Sequence, residues 1–325
     1  MAMMTQARAA CQLLQVGELA VTMARDSPLI AATINGHAVQ LLLDTGAAKS
    51  LIWRSAAAEF NLKITSSGGT FYGAGGADVA GIVSVRDFGV AGGTVHNIQL
   101  YAAGRGSSPG NSAGILGEDV LSKWDIELDL SEGKVRLFSP KNCTGDEVVY
   151  WAQSYFMTKL LKGPGETNWL EVNVSLDGHP VVAMFDSGAV LSAITPQALQ
   201  QTGIKPETPL VTGTATRGLA GKAIDTATAV FSSLTIGQES IANANLHVAD
   251  LFSRNTESHL GSLIPQSALD MPGMIIGADF LMAHRLYVAR SQGKVYFTYK
   301  GGPVFRRITP NAAPSGEASP GDPIP

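Results

Sequence analysis

Charge is scarce in this chain, and positive charge is the scarcer kind. Of 325 residues, 23 are Lys or Arg and 27 are Asp or Glu, for a net charge of −4. Charged residues make up 15%, against roughly a quarter in an average globular domain. With no basic surplus to meet a phosphate backbone or an anionic bilayer, nucleic-acid and lipid-headgroup binding are excluded as main roles. Long apolar runs are also missing. The longest, such as Val39–Leu43, are strand-sized, short of the roughly 18–20 residues of a membrane helix. No membrane span is expected. The first twenty residues lack the apolar stretch of a signal peptide.

Cysteine is limited to Cys11 and Cys143. A bridge between them would close most of the first half of the chain and contribute about 4–5 kcal/mol on a loop-entropy model. Two unrelated buried thiols fit the spacing equally well, so both readings stay open here. The histidines (37, 96, 179, 247, 259 and 284) show no H-E-x-x-H or other paired ligand spacing. His37 and His179 recur at one hairpin position and read as turn residues. No Cys/His cluster suggests zinc, so neither metal nor cofactor is expected. Gly106-Ser-Ser108-Pro-Gly110 fits G-x-S-x-G, but Pro109-Gly110-Asn111 reads as loop where a nucleophile elbow needs a helix. Gly218-Leu-Ala-Gly-Lys222 lacks P-loop spacing.

Apolar residues make up 45% of the chain, ample for a core, and the 36 glycines point to many turns and hence to β structure. Length suggests roughly two domains.

The chain is internally duplicated. Residues 31–47, AATINGHAVQLLLDTGA, resemble 171–189, EVNVSLDGHPVVAMFDSGA. In each copy a Gly (Gly36, Gly178) precedes an Asp (Asp44, Asp186) by eight residues, and the copies are offset by 186 − 44 = 142. The offset holds to Ser50/Ser192 and Leu62/Ile204. Further on, Gly114-Ile-Leu-Gly117-Glu-Asp119-Val-Leu121 matches Met274-Ile-Ile-Gly277-Ala-Asp279-Phe-Leu281, and residues 133–138 match 293–297, both at an offset of 160. The second copy thus carries 160 − 142 = 18 extra residues, placed within Leu251–Pro272. A long unit seen twice is a duplicated domain, not a solenoid.

Each copy reads as mostly strand. Asn35-Gly36 and Asp177-Gly178 signal type I′ hairpins. Short helices are expected over Ser55–Leu62 and Pro196–Gln201, the latter with Thr195 as N-cap and Pro196 at its first position. Two more are expected over Val120–Trp124 and Phe280–His284. Strands are expected over Lys134–Phe138 and Lys294–Tyr299. The joining segment carries a candidate helix, Glu147–Lys162, whose Tyr150, Trp151, Tyr155 and Phe156 argue for packing on the body. The tail from Thr309, rich in Pro, Ala, Ser and Gly, reads as disordered.

One Asp-(Thr/Ser)-Gly tripeptide arises by chance in a chain this long with a probability on the order of 0.1. Two of them, each ending an apolar strand at the same point of a repeat, are far more specific. A turn explains the glycines. It does not explain why Leu41–Leu43 and Val181–Phe185 each run directly into a carboxylate, which is costly to bury unless it is paired or used.

With these motifs the chain resembles retropepsin-like aspartic proteases, doubled in one polypeptide as in the pepsin-like enzymes. The resemblance covers roughly residues 27–138 and 168–299. It rests on Asp44-Thr45-Gly46-Ala47, Asp186-Ser187-Gly188-Ala189, Ile115-Leu116-Gly117 and Ile275-Ile276-Gly277. It implies an all-β, bilobal acid-protease fold made of two homologous β-barrel halves with short helices. It implies an aspartic endopeptidase acting on a protein or peptide substrate, with Asp44 and Asp186 as the catalytic dyad. Thr45, Gly46, Ser187 and Gly188 would support the loops, with the two hydroxyls hydrogen-bonded across the axis. Phe71-Tyr72-Gly73-Ala-Gly75-Gly76 would form a substrate-binding flap, with Arg217-Gly218-Leu-Ala-Gly221 as its counterpart. Two carboxyls about 3 Å apart cannot both ionise, so the pair holds one proton and titrates as a unit. A monomer suffices, because one chain supplies both half-sites. The alternatives are a catalytically silent peptide-binding module on the same fold and a site shared between two chains. Both Asp residues and both glycines being in place argues against the silent module.

The chain also departs from the retroviral pattern. Glu118 and Ala278 stand where Arg often follows the apolar-apolar-Gly motif, so the inter-half network is expected to be absent or rebuilt. Tyr72 against Arg217 implies unequal flaps, and the 18-residue excess is expected to border the cleft. The expected organisation is an N-terminal segment (1–26), a first half (27–138), a connecting segment (139–167), a second half (168–299) and a largely disordered tail (300–325). The resemblance and the two cysteines together imply the periplasm or cell envelope; otherwise the chain is cytoplasmic.

Overall fold

The computed structural model of the chain describes residues 10–73, 76–104, 109–162, 168–206, 226–252 and 271–305. In chain order the first part supplies β1 (Gln12–Ala24), β2 (Ser27–Ile34), β3 (His37–Leu43), β4 (Leu51–Trp53), α1 (Arg54–Glu59), β5 (Thr65–Gly73), β6 (Gly76–Val90), β7 (Gly93–Ala103), β8 (Gly114–Leu116), α2 (Glu118–Leu121), β9 (Asp125–Asp129) and β10 (Lys134–Lys141). The second part supplies β11 (Phe156–Lys159), β12 (Glu171–Leu176), β13 (His179–Phe185), β14 (Ala193–Ile194), α3 (Pro196–Thr202), β15 (Thr226–Ile236), β16 (Glu239–Ala249), β17 (Met274–Ile276), α4 (Ala278–Leu281), β18 (His284–Ala289) and β19 (Lys294–Tyr299).

The duplication is visible in the pairing. The second half closes into a barrel in the order β12-β13-β17-β14-β16-β15. The first half follows the same order, β2-β3-β8-β4-β7-β6, and closes through β2 against β6. Both barrels open with the expected hairpin. Asn35 and Gly36 have φ of 50° and 85°, and Asp177 and Gly178 have 48° and 87°, the double positive φ of a type I′ turn. The alternation of β2, β3, β12 and β13 sends Ile30, Leu41, Leu43, Val172, Ala183 and Phe185 into one continuous apolar core.

A third layer joins the halves. Its strands run β11-β19-β18-β9-β10-β1, with β9 and β18 antiparallel at the centre, where Ile126, Glu127 and Leu128 face Val288, Tyr287 and Leu286. The N-terminal strand β1 is built into this layer against β10 and then turns to pair with β2. Cys11 and Cys143 are joined in a disulfide at the outer end of the β1–β10 ladder, next to the Gln12–Lys141 pair.

The helix expected over Glu147–Lys162 is not there. One 3-10 turn covers Gly145–Val148, and Phe156–Lys159 is the edge strand β11 on β19. Its aromatics find cross-strand partners, which a helix could not offer: Tyr155 on Tyr296 and Phe156 on Phe297, each at 5.6 Å between ring centroids. The expected packing of these aromatics on the body is seen, with Trp151 stacked on Tyr287. The other four helices exist with shifted bounds. Helix α3 is capped by Thr195, whose Oγ1 accepts from Ala198 N at 3.2 Å. Helices α2 and α4 start two residues early, directly after Gly117 and Gly277, and leave out Trp124 and His284; His284 opens β18 instead.

Gly75, residues 105–108 of the G-x-S-x-G stretch, residues 207–225 with Arg217, Gly218 and Lys222, residues 253–270 of the 18-residue excess, and the tail from 306 lie outside the described residues. Among the described residues, no helix is long and apolar enough to cross a membrane.

Candidate active site

Each Asp-(Thr/Ser)-Gly loop is held from below by the apolar-apolar-Gly strand of its own half. Strand β8 lies parallel to β3 and pairs Leu43 with Leu116, and β17 does the same for Phe185 and Ile276. The ladder ends on the aspartates: Asp44 N donates to Leu116 O at 3.1 Å and Asp186 N to Ile276 O at 2.9 Å. Beyond that point each chain turns back, and its amides point at its own carboxylate. Gly46 N and Ala47 N both donate to Asp44 Oδ1 at 2.9 Å. Gly188 N and Ala189 N donate to Asp186 Oδ1 at 2.9 and 3.1 Å.

The two loops grip each other by four reciprocal hydrogen bonds. Thr45 Oγ1 donates to Phe185 O at 2.8 Å and accepts from Ser187 N at 3.0 Å. Ser187 Oγ donates to Leu43 O at 2.8 Å and accepts from Thr45 N at 3.1 Å. Both side chains are fully buried, so each hydroxyl satisfies one donor and one acceptor of the opposite half that water cannot reach.

This grip brings Asp44 and Asp186 together. Each carboxyl lies against the glycine of the other loop: a methyl group on Gly46 would sit 2.4 Å from Asp186 Cγ, and one on Gly188 would sit 2.4 Å from Asp44 Cγ. With the carboxyls where they are, only glycine fits either place. Both aspartates keep partial solvent exposure. Burial, then the charge and hydrogen bond of Asp186, raise the Asp44 carboxyl well above its ordinary value. Burial also raises Asp186, against the lowering effect of its bond to Asp44 and of the loop amides. The pair therefore resists giving up its last proton.

Two struts, one part-buried and one buried, brace the loops from behind. Asp119 Oδ1 accepts from Ser50 N at 2.8 Å and Ser50 Oγ at 2.7 Å, and Ser50 Oγ accepts from Gly117 N at 3.0 Å. Asp279 Oδ1 accepts from Ser192 N at 3.0 Å and Ser192 Oγ at 2.6 Å, and Ser192 Oγ accepts from Gly277 N at 2.9 Å. The two struts span 69 and 87 residues, a difference equal to the 18-residue excess of the second copy. Their signal lies in the repeat, where Ser50/Ser192 and Asp119/Asp279 keep the two offsets, but a repeated spacing alone does not mark a strut.

Tyr72 and Gly73 end β5 and Gly76 begins β6, and the strands pair antiparallel as Tyr72–Ala77 and Gly73–Gly76. The base of this hairpin is pinned to the first half. Asp78 Oδ2 accepts from Gly104 N at 2.7 Å and lies 3.7 Å from Arg54 Nε, while Arg54 Nη2 donates to Val79 O.

A family model described as aspartyl protease matches residues 30–120 and again 172–280. The chain belongs to the aspartyl protease family. The two matched regions carry one aspartate loop each, as expected of a two-repeat aspartyl protease. No curated protein matches in sequence. Among solved structures, the aspartic proteinase from Irpex lacteus aligns over 91% of this chain and 98% of its own, with a TM-score of 0.52 and 12% identity. That likeness shows the bilobal fold and nothing finer.

In this aspartyl protease the inter-half network, expected to be absent or rebuilt, is rebuilt. The fully buried Glu118 receives a hydrogen bond from Arg290 Nη2 across the interface, and Arg290 Nη1 donates to Asn168 O at 3.0 Å. Beside it, Asp125 accepts from Ser291 N at 2.9 Å and Ser291 Oγ at 2.6 Å. Glu118 stands out in the sequence as a departure from the family pattern; Arg290 does not, because nothing local marks it. Among the described residues no group of three or more His, Cys, Asp or Glu could hold a metal ion.

Proposed function

We propose that the protein is an aspartic endopeptidase that hydrolyses peptide bonds at Asp44 and Asp186. The observation that carries this reading is the reciprocal grip of Thr45 and Ser187, which sets the two carboxyls side by side, each with one oxygen held by two loop amides. The amides bind the ionised form of the inner oxygens, and the outer oxygens are left to share a proton. In the reaction, the ionised member takes a proton from a water molecule placed between the carboxyls. The protonated member donates to the scissile carbonyl oxygen as the water adds. The tetrahedral gem-diol then collapses: the carboxyl that now carries the proton gives it to the leaving amine as the C–N bond breaks, and the other carboxyl takes back a proton from the diol hydroxyl that becomes the new carbonyl. The dyad ends with the one proton it began with.

The hairpin of β5 and β6 is the flap of this reading, with Tyr72, Gly73 and Gly76 at its end; Gly75 is assigned to the same flap, and Arg217 and Gly218 to its counterpart, by the family resemblance. A single chain carries both half-sites, so the working form is a monomer. The Cys11–Cys143 bridge supports an oxidising compartment, the periplasm or cell envelope. Cleavage of a diverse peptide mixture between pH 3 and 7, read by mass spectrometry, tests the function. Cuts are expected from the native chain and from neither Asp44→Asn nor Asp186→Asn, since each swap keeps the shape and removes the shared proton. A folded native chain that makes no cut at any pH would favour a silent peptide-binding module instead.

A further inference from the structure

We propose that Glu118 and Arg290 form a positioning pair that sets the Asp44 loop, and only that loop, from the opposite half of the molecule. The kinetic consequence rests on the endopeptidase reading above; the mechanical one rests on contacts alone. Glu118 N donates to Ala47 O at 2.8 Å, and Ala47 N donates to Asp44 Oδ1 at 2.9 Å. One residue therefore links the backbone of Glu118 to the carboxylate. The second half has the same backbone path: Ala278 N donates to Ala189 O at 2.8 Å, and Ala189 N to Asp186 Oδ1 at 3.1 Å.

The side chains break the symmetry. At the repeat offset of 160, Ala278 stands for Glu118 and Leu130 for Arg290, so the second aspartate loop has no such pair. Glu118 is fully buried, and Arg290 retains 15% side-chain exposure. Glu118 Oε1 and Arg290 Nε, which lie outside the bond between the two side chains, have no hydrogen-bond partner among the described residues. Removing Arg290 thus takes away the hydrogen bond that Glu118 receives in its buried place, while removing Glu118 leaves Arg290 with Asn168 O and the nearby Asp125. Burial outweighs the guanidinium at Glu118 and pushes its carboxyl up to about 8, so below that pH the contact holds as a hydrogen bond from Arg290 and not as a pair of opposite charges. Arg290 is fixed to the second half by Asn168 O, and the adjacent Ser291–Asp125 tie crosses the interface beside it. The pair is therefore a strut from a rigid base in one half to the underside of the catalytic loop in the other.

Amide hydrogen exchange on the full chain, read by mass spectrometry, tests this without relying on activity. Peptides covering 43–49 and 185–191 are compared in the native chain, Glu118→Ala, Arg290→Leu and the double variant, which copies the residues of the other half. Either single variant should speed exchange in 43–49 roughly tenfold, leave 185–191 unchanged, and match or exceed the double variant. No change at 43–49, equal changes at both loops, or additive single effects would overturn the proposal. Glu118→Gln keeps the shape and serves if the alanine variant does not fold; it should give a smaller rise on the same side only. With a cleaved peptide in hand, kcat should fall about tenfold or more while KM stays within about twofold, because the pair touches no substrate. A native chain that cuts no peptide, with variants that exchange as expected, would sink the endopeptidase reading and uphold the strut. A native chain that cuts, with variants that exchange and cut like it, would sink the strut alone.

Discussion

Glu127 and Tyr287 face each other at the centre of the β9–β18 ladder, and they are equivalent residues of the two repeats, 287 − 127 = 160 apart. Thr45 and Ser187 meet in the same way at the other offset, 187 − 45 = 142. The halves therefore touch like against like at both ends of the interface, and an axis through these two contacts relates Asp44 to Asp186. Duplication explains the site economically: a fold that presents one carboxylate at the end of one strand presents two when it packs against its own copy. The symmetry breaks where side chains differ. Glu127 is fully buried and bonds Tyr150 Oη at 2.6 Å and Arg285 Nη2 at 3.0 Å, while Arg285 lies over the Tyr150 and Trp151 rings at 5.3 and 4.8 Å.

Thr45→Val should lower both stability and activity. The swap keeps the shape but leaves Phe185 O and Ser187 N without their partner. Each unmade buried bond costs about 1–3 kcal/mol, so the urea midpoint should drop measurably. Thr45→Ser retains the hydroxyl and should recover most of the loss. Equal losses in the two variants would show that the hydroxyl is not what matters.

Gly46→Ala and Gly188→Ala should abolish cleavage without unfolding the chain. The added methyl meets the carboxyl of the opposite aspartate, a side chain that can swing away, and not buried backbone. The expected result is a near-native circular dichroism spectrum and a loss of kcat of about a hundredfold or more. Retained activity in either variant would contradict the close approach of the two loops.

Several buried carboxyls depart upward from their ordinary values. Burial leads the rise in Asp44, Asp186, Asp125, Glu171 and Asp279, and Glu118 reaches about 8. A carboxyl raised on folding favours the native state fully below its unfolded value and loses that contribution as pH climbs through its folded value. The chain should thus be most stable in mild acid and weaken between about pH 4.5 and 8, with Glu118 alone contributing on the order of a few kcal/mol. Asp87 is lowered by its bonds to Arg86 and His96, but its effect falls below about pH 4, outside this range. Denaturant midpoints measured across pH 4.5–8.5 check the trend, and Glu118→Gln should flatten its upper part. Stability that rises over this range would contradict it.

Reduction of the Cys11–Cys143 bridge should weaken the inter-half sheet. The bridge closes a loop with a sequence separation of 132, worth about 4–5 kcal/mol on the loop-entropy model. The expected result is a lower denaturation midpoint for the Cys11→Ala/Cys143→Ala variant, with β1 exchanging its amides early. An unchanged midpoint would mean that the β1–β10 ladder holds unaided.

The barrels and their loops were legible because their signals are local and occur twice. An apolar strand ending in Asp-Thr-Gly, a type I′ hairpin eight residues before it and a Gly-closed apolar strand downstream each carry their own instruction, and the repeat removes chance as an explanation. What was not legible depends on partners far along the chain. Phe156–Lys159 has no strand signal of its own; it becomes strand because β19 offers Phe297 and Tyr296, over 130 residues away. Glu118 was visible only as an oddity, since its partner Arg290 lies 172 residues on. The three acids of β9 hid the burial of that strand, because Arg136, Arg285, Lys300 and Ser291, which neutralise or bond them, come mostly from the other half.

The measurement that tests the shared-proton dyad most directly is the pH profile of kcat/KM on a single peptide, taken for the native chain and for Asp44→Asn and Asp186→Asn. The account predicts a bell whose two limbs belong to the pair as a unit, and no measurable cleavage by either variant at any pH. A profile that rises to a plateau, or a variant that keeps cutting, would show that one aspartate acts without the other.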